Sequence, residues 1–146
     1  MSHVTGYEIR RARGKEEMKA VVQLRHDVFC TEQGVPEREE LDGRDGEAIH
    51  LVAVANGELL GTCRVLMVGS TAQFSRLAVR ASVRRQGIAT ALLRAADSET
   101  LAAGGRRLVL HAQTYARPLY EAAGYRVRGH EFVEAGIEHI AMEKQL

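Results

Sequence analysis

The sequence has little cysteine, little net charge and no long apolar run, and each shortage excludes a class of protein. Two cysteines, Cys30 and Cys63, are too few for a disulfide scaffold and occur in no CxxC or Cys/His metal spacing. We therefore expect reduced core thiols and no metal site. The formal net charge is +1, from 20 Lys and Arg against 19 Asp and Glu, whereas a protein that binds bulk nucleic acid needs a strongly basic face. A nucleic-acid partner is therefore not expected.

The apolar runs are too short to cross a membrane. The longest, over 48–55, is interrupted by His50 and falls far below the roughly 20 residues that a spanning helix needs. The N-terminal segment MSHVTGYEIR has no apolar core of the kind found in secretory leaders. We expect a cytoplasmic protein with no membrane partner.

The composition that is present is that of an ordinary globular protein. Of the 146 residues, 45% are hydrophobic and 27% are charged, which excludes a disordered tail, a fibre and a low-complexity linker. A chain of this length buries roughly 68–70% of the surface that its unfolded form exposes. The sequence therefore predicts one domain over residues 1–146.

The first half of the chain is predicted to form a helix and then an antiparallel hairpin. Apolar side chains recur at helical spacing over 16–30, and a glycine and a proline follow shortly after. Two apolar runs, IHLVAVA and ELLGTCRVLMV, flank Asn56-Gly57, a pair that suits the two positive φ angles of a type I′ turn. A third strand at 73–79 completes an antiparallel meander.

The segment between this helix and the hairpin is acidic. Seven carboxylates stand against Arg38 and Arg44, which gives a local balance of −5, and apolar periodicity is weak. The carboxylates are Glu32, Glu37, Glu39, Glu40, Asp42, Asp45 and Glu47. We expect a loop, with at most a short helix and without the ligand spacing of an EF-hand. It is either a solvated surface or a set of carboxylates that attracts and orients a cationic amine.

The second half of the chain alternates strands and helices. Apolar residues at i, i+3, i+4 and i+7 from Ile88 predict a helix over 87–102, closed by two glycines. A strand at 108–111, a short helix at 118–123 and strands at 125–127 and 137–142 follow. Antiparallel strands followed by a strand–helix–strand unit predict a mixed sheet with helices on it, an α+β domain.

The segment over 77–93, LAVRASVRRQGIATALL, joins a strand to a helix. The first backbone N–H groups of a helix have no intrahelical partner, and the helix dipole places about half a positive charge there. Because Gly87 permits a close approach, this junction suits a phosphate or pyrophosphate. The segment has neither the GxxxxGK[ST] of a P-loop nor the GxGxxG of a dinucleotide fold. Solvated arginines beside a simple turn are the alternative interpretation.

Two motifs in this half of the chain occur in a fixed order. The first, LAV-x4-RRQGIA, follows the pattern Gln/Arg-x-x-Gly-x-Gly/Ala after a Leu-x-Val strand, at Arg84, Gly87 and Ala89. The second, LYEAAGY, follows the pattern Leu-Tyr-x-x-x-Gly-Phe/Tyr, at Leu119, Tyr120, Gly124 and Tyr125. Core filling is the alternative for a lone tyrosine on a short helix. With the predicted order of helices and strands, the two motifs make nearly the whole chain resemble the GNAT superfamily of acyl-CoA-dependent N-acyltransferases.

The resemblance implies a GNAT-type fold and an acetyl-CoA cosubstrate. The implied sheet is mixed and mostly antiparallel, with helices on both faces and a V-shaped splay between the strands that carry 77–79 and 108–111. Acetyl-CoA is expected in the V, with its pantetheine arm on the backbone at Leu77 and Val79 and its pyrophosphate on the amides of 85–90. The implied cofactor-binding residues are Leu77, Ala78, Val79, Arg84, Arg85, Gln86, Gly87, Ile88, Ala89, Thr90, Gln113, Tyr115, Pro118 and Tyr120. Gln113 stands where many relatives have Asn, and its side chain carries the same amide group.

Direct acetyl transfer from a thioester needs a polarised carbonyl, a neutral amine and a stabilised leaving thiolate. A backbone N–H near Val79 is expected to polarise the carbonyl. The resemblance makes Tyr120 the group that meets the sulfur, and because a phenol (pKa about 10) is a weaker acid than a thiol (about 8.5), we expect it to donate a hydrogen bond. Besides Tyr120, the predicted catalytic residues are Glu32 and His139 as candidate bases. His111 and Glu134 are further candidates for the base, and a solvated charge or a packed strand residue is the alternative for each.

The sequence thus predicts an enzyme that moves an acetyl group from acetyl-CoA to a primary amine of a small molecule in a ternary complex. One alternative is a non-catalytic acyl-CoA-binding module, and another is an enzyme that acetylates Lys side chains or N termini of proteins. Tyr120 favours catalysis over binding alone, and the compact chain favours a small acceptor. A homodimer stays open as an alternative to a monomer.

Overall fold

The structure, a computed structural model, describes residues 6–146. These residues contain seven strands and four α-helices. Residues 1–5 lie outside the described residues. They belong to the predicted domain and to the N-terminal segment in which we expect no secretory leader. The helices are α1 (Gly14–Arg25), α2 (Glu37–Glu40), α3 (Ile88–Ala102) and α4 (Arg117–Ala122). The strands are β1 (Glu8–Arg11), β2 (Ile49–Ala55), β3 (Glu58–Val68), β4 (Thr71–Val79), β5 (Arg107–Gln113), β6 (Arg126–Glu134) and β7 (Ile137–Gln145).

The meander β2–β3–β4 confirms the strongest local prediction. Asn56 and Gly57 join β2 to β3 with φ angles of 52° and 75°, the positive values that a type I′ turn requires. Most of β3 is buried, because helices cover both faces of the sheet at this strand. A strand buried on two faces reads as a continuous apolar run, which is how ELLGTCRVLMV appears in the sequence.

The seven strands form one sheet in the order β1-β2-β3-β4-β5-β7-β6. Neighbours pair antiparallel except β4 and β5, which pair parallel. Helix α3 connects these two strands, because a parallel pair needs a crossover connection. The mixed sheet with helices on it confirms the predicted α+β class.

The core has two parts, one on each face of the sheet. On one face α3 packs Leu92, Leu93 and Ala96 against the central strands. Gly61 lets α3 approach closely, since a Cβ there would lie 3.0 Å from Ile88 Cγ2. On the other face α1 and the residues just after it pack against β2, β3 and β4 through a smaller cluster, which consists of Val21, Leu24, Val28, Val52, Leu59 and Ala78.

The strands β4 and β5 pair at their beginnings and then separate. Their ladder runs from Thr71 opposite Arg107 to Gln73 opposite Val109, although both strands continue well beyond it. A bulge in β4, at which Arg76 has a φ of 58°, shifts the register of β4 on β3, and bulges bend the strand that carries them. This divergence is the predicted V-shaped splay.

The described structure differs from the predicted elements at three places. The helix predicted over 16–30 is α1 followed by a π-helical segment, His26–Glu32. Strand β1 was not predicted, because EIRR is short and mostly charged. Strand β6 runs to Glu134 rather than 127. The prediction was too short because an edge strand with both faces largely exposed lacks the apolar alternation that marks a strand. None of the helices between residues 6 and 146 has the length and apolar character that crossing a membrane requires.

Candidate active site

The splay between β4 and β5 opens into a cavity of about 1500 Å³. The start of α3, α4, the π-helical segment, α2 and β6 also contribute to its lining. Most of the predicted site residues share this lining. They are Glu32, Leu77, Val79, Arg84, Arg85, Gly87, Ile88, Ala89, Thr90, Gln113, Tyr115, Pro118 and Tyr120.

Three predicted site residues do not line the cavity. Ala78 is buried in the cluster under α1, because successive side chains of a strand point to opposite faces of the sheet. Gln86 lies outside the lining as well. His139 is 7% exposed, and its ring donates from Nδ1 to the carbonyl oxygen of Ile137 at 2.7 Å. The structure therefore does not bring His139, predicted as catalytic, to the cavity.

The start of α3 turns backbone N–H groups toward the cavity. Arg85 and Gly87 have φ angles of 63° and 84°, and such left-handed residues beside a helix start turn successive N–H groups toward one point, a nest for anions. The first helical bond runs from Ala91 N to Gly87 O at 3.0 Å, so the N–H groups just before Ala91 have no acceptor within the helix. This geometry fits a pyrophosphate.

The end of β4 presents Val79 to the open side of the strand. Arg80 N donates to Leu60 O at 2.8 Å, and bonded and non-bonded residues alternate along an antiparallel pair. The N–H and C=O of Val79 therefore point away from β3, toward the splay. Its carbonyl oxygen accepts from Arg84 Nε at 2.9 Å, while its N–H is a donor that faces the splay.

Two side-chain contacts link the walls of the splay to the π-helical segment and to Gln33, the residue just after it. Arg84 forms an ion pair with Glu32 at 2.9 Å, and Gln113 Nε2 donates to Gln33 Oε1 at 2.7 Å. Glu32, a candidate base, is thus paired with a residue predicted to bind the cofactor. Gln113 uses its amide to link β5 to Gln33.

Tyr120 lies deep in the cavity on the core side of the sheet. Its ring meets Phe74 and Tyr125 edge to face, at centroid distances of 6.4 and 5.9 Å. Burial raises the pKa of the Tyr120 hydroxyl well above its usual value. A neutral phenol that lines a cavity is a hydrogen-bond donor, which agrees with the role inferred from the sequence.

The acidic segment is fastened by ion pairs. Arginines from outside the segment, Arg25, Arg64 and Arg76, pair with its carboxylates Glu40, Asp42 and Asp45. The Arg64 guanidinium holds the pKa of Asp42 well below its usual range. Three of the seven carboxylates are therefore held by these arginines, while most of the segment is exposed.

These ion pairs also weaken the predicted attraction for a cationic amine. The three arginines reduce the local net charge from −5 to −2, and the partner of Glu32 reduces it further. The acidic segment, which was predicted to attract the acceptor amine, is therefore only weakly negative.

The structure joins two residues that the sequence offered as separate candidates. His111 Nδ1 lies 3.0 Å from Glu134 Oε1, and both side chains line the cavity. Other lining residues were missed, among them Phe29 of the π-helical segment, Gln33 just after it, and Gln73 and Ser75 of β4. Alternation of apolar and polar residues along 72–75 was a signal for the last two.

Within residues 6–146, no group of three or more His, Cys, Asp or Glu side chains is arranged to hold a metal ion. Cys63 is buried, and burial raises the pKa of its thiol. Cys30 is half-buried, and both cysteines are free.

Known proteins share both the sequence pattern and the fold. Residues 14–146 match the family model of an acetyltransferase (GNAT) domain. The chain is 34% identical over 134 residues to the uncharacterized N-acetyltransferase YjcF of Bacillus subtilis strain 168, which is 91% of this chain and 96% of that protein.

Two solved structures illustrate the likeness of the fold. An acyl-CoA N-acyltransferase from Pseudomonas aeruginosa superposes with a TM-score of 0.82 at 26% identity, over 96% of this chain and 99% of that chain. The PaiA N-acetyltransferase from Thermoplasma acidophilum, solved in complex with coenzyme A, gives a TM-score of 0.75 at 18% identity, over 97% and 100% of the two chains.

Proposed function

The chain belongs to the GNAT acetyltransferase family, and from this premise we propose that it transfers an acetyl group from acetyl-CoA to a primary amine of a small molecule. One observation carries most weight: the nest at the start of α3, the free N–H of Val79 and the buried Tyr120 all border one cavity. These are an anion site, a carbonyl site and a sulfur site. Together they match the parts of an acyl thioester of coenzyme A.

The described residues fit this cosubstrate, which supplies an activated acetyl thioester. The N–H groups around Gly87 would hold the pyrophosphate, with the exposed Arg85 beside them. The open side of β4, from Leu77 to Val79, would pair with the pantetheine arm as an added strand pairs with a sheet edge. The coenzyme A complex of the T. acidophilum protein, which has the same fold, supports this assignment.

Two groups would act on the reacting atoms. The N–H of Val79 donates toward the place where negative charge develops on the carbonyl oxygen, which is the geometry of an oxyanion hole. Tyr120 donates a hydrogen bond to the leaving sulfur. Its raised pKa makes full proton transfer to the thiolate more costly than for a free phenol, so the hydroxyl stabilises the charge without ionising.

Binding of acetyl-CoA is the first test. At 100 times its dissociation constant a ligand adds about 2.7 kcal/mol to the unfolding free energy, and 1 kcal/mol corresponds to roughly 2–4 °C in Tm for this size class. We expect a rise of roughly 5–11 °C in a thermal-shift assay. A melting curve unmoved by both acetyl-CoA and CoA would contradict the assignment.

A matched pair of variants locates the binding. Gly87→Glu adds bulk and negative charge at the nest, and Gly104→Glu places the same residue at the other end of α3. Both glycines have positive φ, 84° and 81°, and open space where a Cβ would stand, so the backbone strain is alike. We expect only Gly87→Glu to abolish the acetyl-CoA shift.

The acceptor is tested with a panel of small primary amines and one Lys-containing peptide, with release of free CoA thiol and the mass of the product as readouts. Acetylation of at least one small amine is expected. A protein that binds acetyl-CoA and acetylates only the peptide would place its acceptor among proteins, and one that acetylates neither would leave a binding module.

A further inference from the structure

His111 and Tyr120 reach the cavity from opposite faces of the sheet. Leu108, Leu110 and Ala112 of β5 enter the core that contains Tyr120. The alternating residues of β5 point the other way, and His111 is the first of them beyond the ladder with β4. It therefore borders the cavity on the face away from the proposed sulfur site.

The contact with Glu134 decides which ring nitrogen of His111 carries a proton. Nδ1 of His111 lies 3.0 Å from Glu134 Oε1, and the two side chains are 52% and 49% exposed. A carboxylate can only accept a hydrogen bond, so Nδ1 is the donor. In the neutral ring Nε2 then keeps its lone pair, and none of the described residues occupies it.

Aromatic packing fixes the plane of this ring. The ring of Phe132, on β6, meets that of His111 edge to face at 4.9 Å, and Phe132 stacks on His139 at 5.9 Å. Glu134 Oε2 lies 3.8 Å from His139 Nε2. His111 is thus oriented by two residues of the β6–β7 hairpin, while His139 supports that hairpin from outside the cavity lining.

We propose that His111 is the base that removes the proton from the acceptor amine and that Glu134 is its positioning residue. The assignment rests on the proposed acetyl transfer. The other candidates are less suited: Glu32 is held in an ion pair by Arg84, and His139 does not border the cavity. His111 has an unshared lone pair, a fixed ring plane and access to the cavity.

The proton and electron balance of the step is simple. Nε2 of His111 takes a proton from the ammonium group of the acceptor, which leaves a neutral amine. The nitrogen lone pair forms the new N–C bond to the acetyl carbon, and the C–S bond breaks. The sulfur leaves with the electron pair and takes up the second proton, which the nitrogen loses as the amide forms, and imidazolium returns the first proton to solvent.

The charged and titratable groups near His111 come from several elements. Glu134 and Arg128 of β6 line the same cavity, and His139 of β7 lies behind Phe132. Glu32 and Arg84 line it as a mutually neutralising pair.

Kinetics of His111→Gln with two kinds of amine test the proposal. With an alkylamine near neutral pH, we expect kcat/KM to fall by about 10²–10⁴-fold, the usual contribution of a general base. The deficit should shrink by about tenfold per pH unit toward the pKa of the amine, about 10.4 for a Lys-like amine. An arylamine, which is already neutral, should show little deficit, and acetyl-CoA affinity should be unchanged.

Matched controls come from β6, the strand that carries Glu134. His130→Gln and Glu131→Gln change the same residue types on β6 outside the cavity lining, and both should retain the parent activity. Glu134→Gln should lose less than His111→Gln, because an amide oxygen still accepts from Nδ1 without the charge.

A second readout does not depend on turnover. Nitrogen NMR of the imidazole should show the proton of neutral His111 on Nδ1 in the parent and a mixture of tautomers in Glu134→Gln. A proton on Nε2 in the parent, a His111→Gln variant equal to the parent, or a deficit that is the same for both amines at every pH would overturn the base assignment while acetyl transfer stands. A parent that acetylates no amine would refute acetyl transfer and the base with it.

Discussion

Replacing Glu40 by alanine should destabilise the protein more than any surface change in the acidic segment. Arg25 and Glu40 are 1% and 3% exposed and lie 2.9 Å apart. In Glu40→Ala, Arg25 stays buried and keeps Asp45 as its remaining carboxylate partner, also at 2.9 Å. Arg76 loses its closest carboxylate at the same time, at 2.6 Å.

The magnitude follows from the burial of the pair. Removing one partner of a buried ion pair costs about 3–5 kcal/mol, because the other charge stays desolvated. Since Asp45 still compensates Arg25, we expect the lower end, about 3 kcal/mol. This corresponds to roughly 6–12 °C in Tm. The double variant Arg25→Met with Glu40→Leu removes both charges and should recover most of the loss, since apolar replacements of a buried pair are often neutral.

Urea denaturation of the parent, the two variants and Glu37→Ala measures the effect. Glu37 is exposed on the same short helix, so Glu37→Ala should stay within about 0.5 kcal/mol of the parent. A loss below about 1 kcal/mol for Glu40→Ala, at an unchanged m-value, would refute the argument from burial. A double variant less stable than the single one would refute it too.

Two further predictions concern Tyr120 and Asp42. Tyr120→Phe should lower kcat by up to about 10²-fold with acetyl-CoA affinity nearly constant, because the lost hydrogen bond matters once the sulfur becomes anionic; unchanged turnover would remove the hydroxyl from the mechanism. Arg64 depresses the pKa of Asp42, so this carboxylate stabilises the fold above its unfolded pKa, about 3.9, and loses that contribution as the pH falls further. In denaturation curves, Asp42→Asn should therefore be less stable near neutral pH and lose less stability in acid, and equal acid sensitivity would contradict the linkage.

The elements that could be predicted from the sequence are those with local signals. Asn56-Gly57 sets the hairpin by its own backbone preferences, and the segment over 77–93 carries the strand end, the nest and the helix start in one stretch of chain. Strand β1 was not predicted because it is short and mostly charged. Strand β6 was predicted too short because it is exposed and shows no apolar periodicity.

The candidate site divides in the same way. The residues that line the proposed cofactor side follow one another along two motifs, so the resemblance named them together. The opposite side is built from residues distant in sequence: Arg25 and Arg76 lie 15 and 36 residues from Glu40, and His111 lies 23 from Glu134. The composition of the acidic segment gives no sign that its carboxylates pair with distant arginines, and no local pattern shows that His111 and Glu134 lie in contact.

The short ladder between β4 and β5 makes the sheet mechanically two panels, β1–β4 and β5–β7–β6. The ladder that joins the two panels pairs only residues 71–73 of β4 with residues 107–109 of β5. The other ladders of the sheet lie within one panel or the other. A molecule that bonds to both sides of the V would tie the panels together far from this hinge. Amide hydrogen exchange at the facing ends of β4 and β5 should then slow in both panels at once when acetyl-CoA is added.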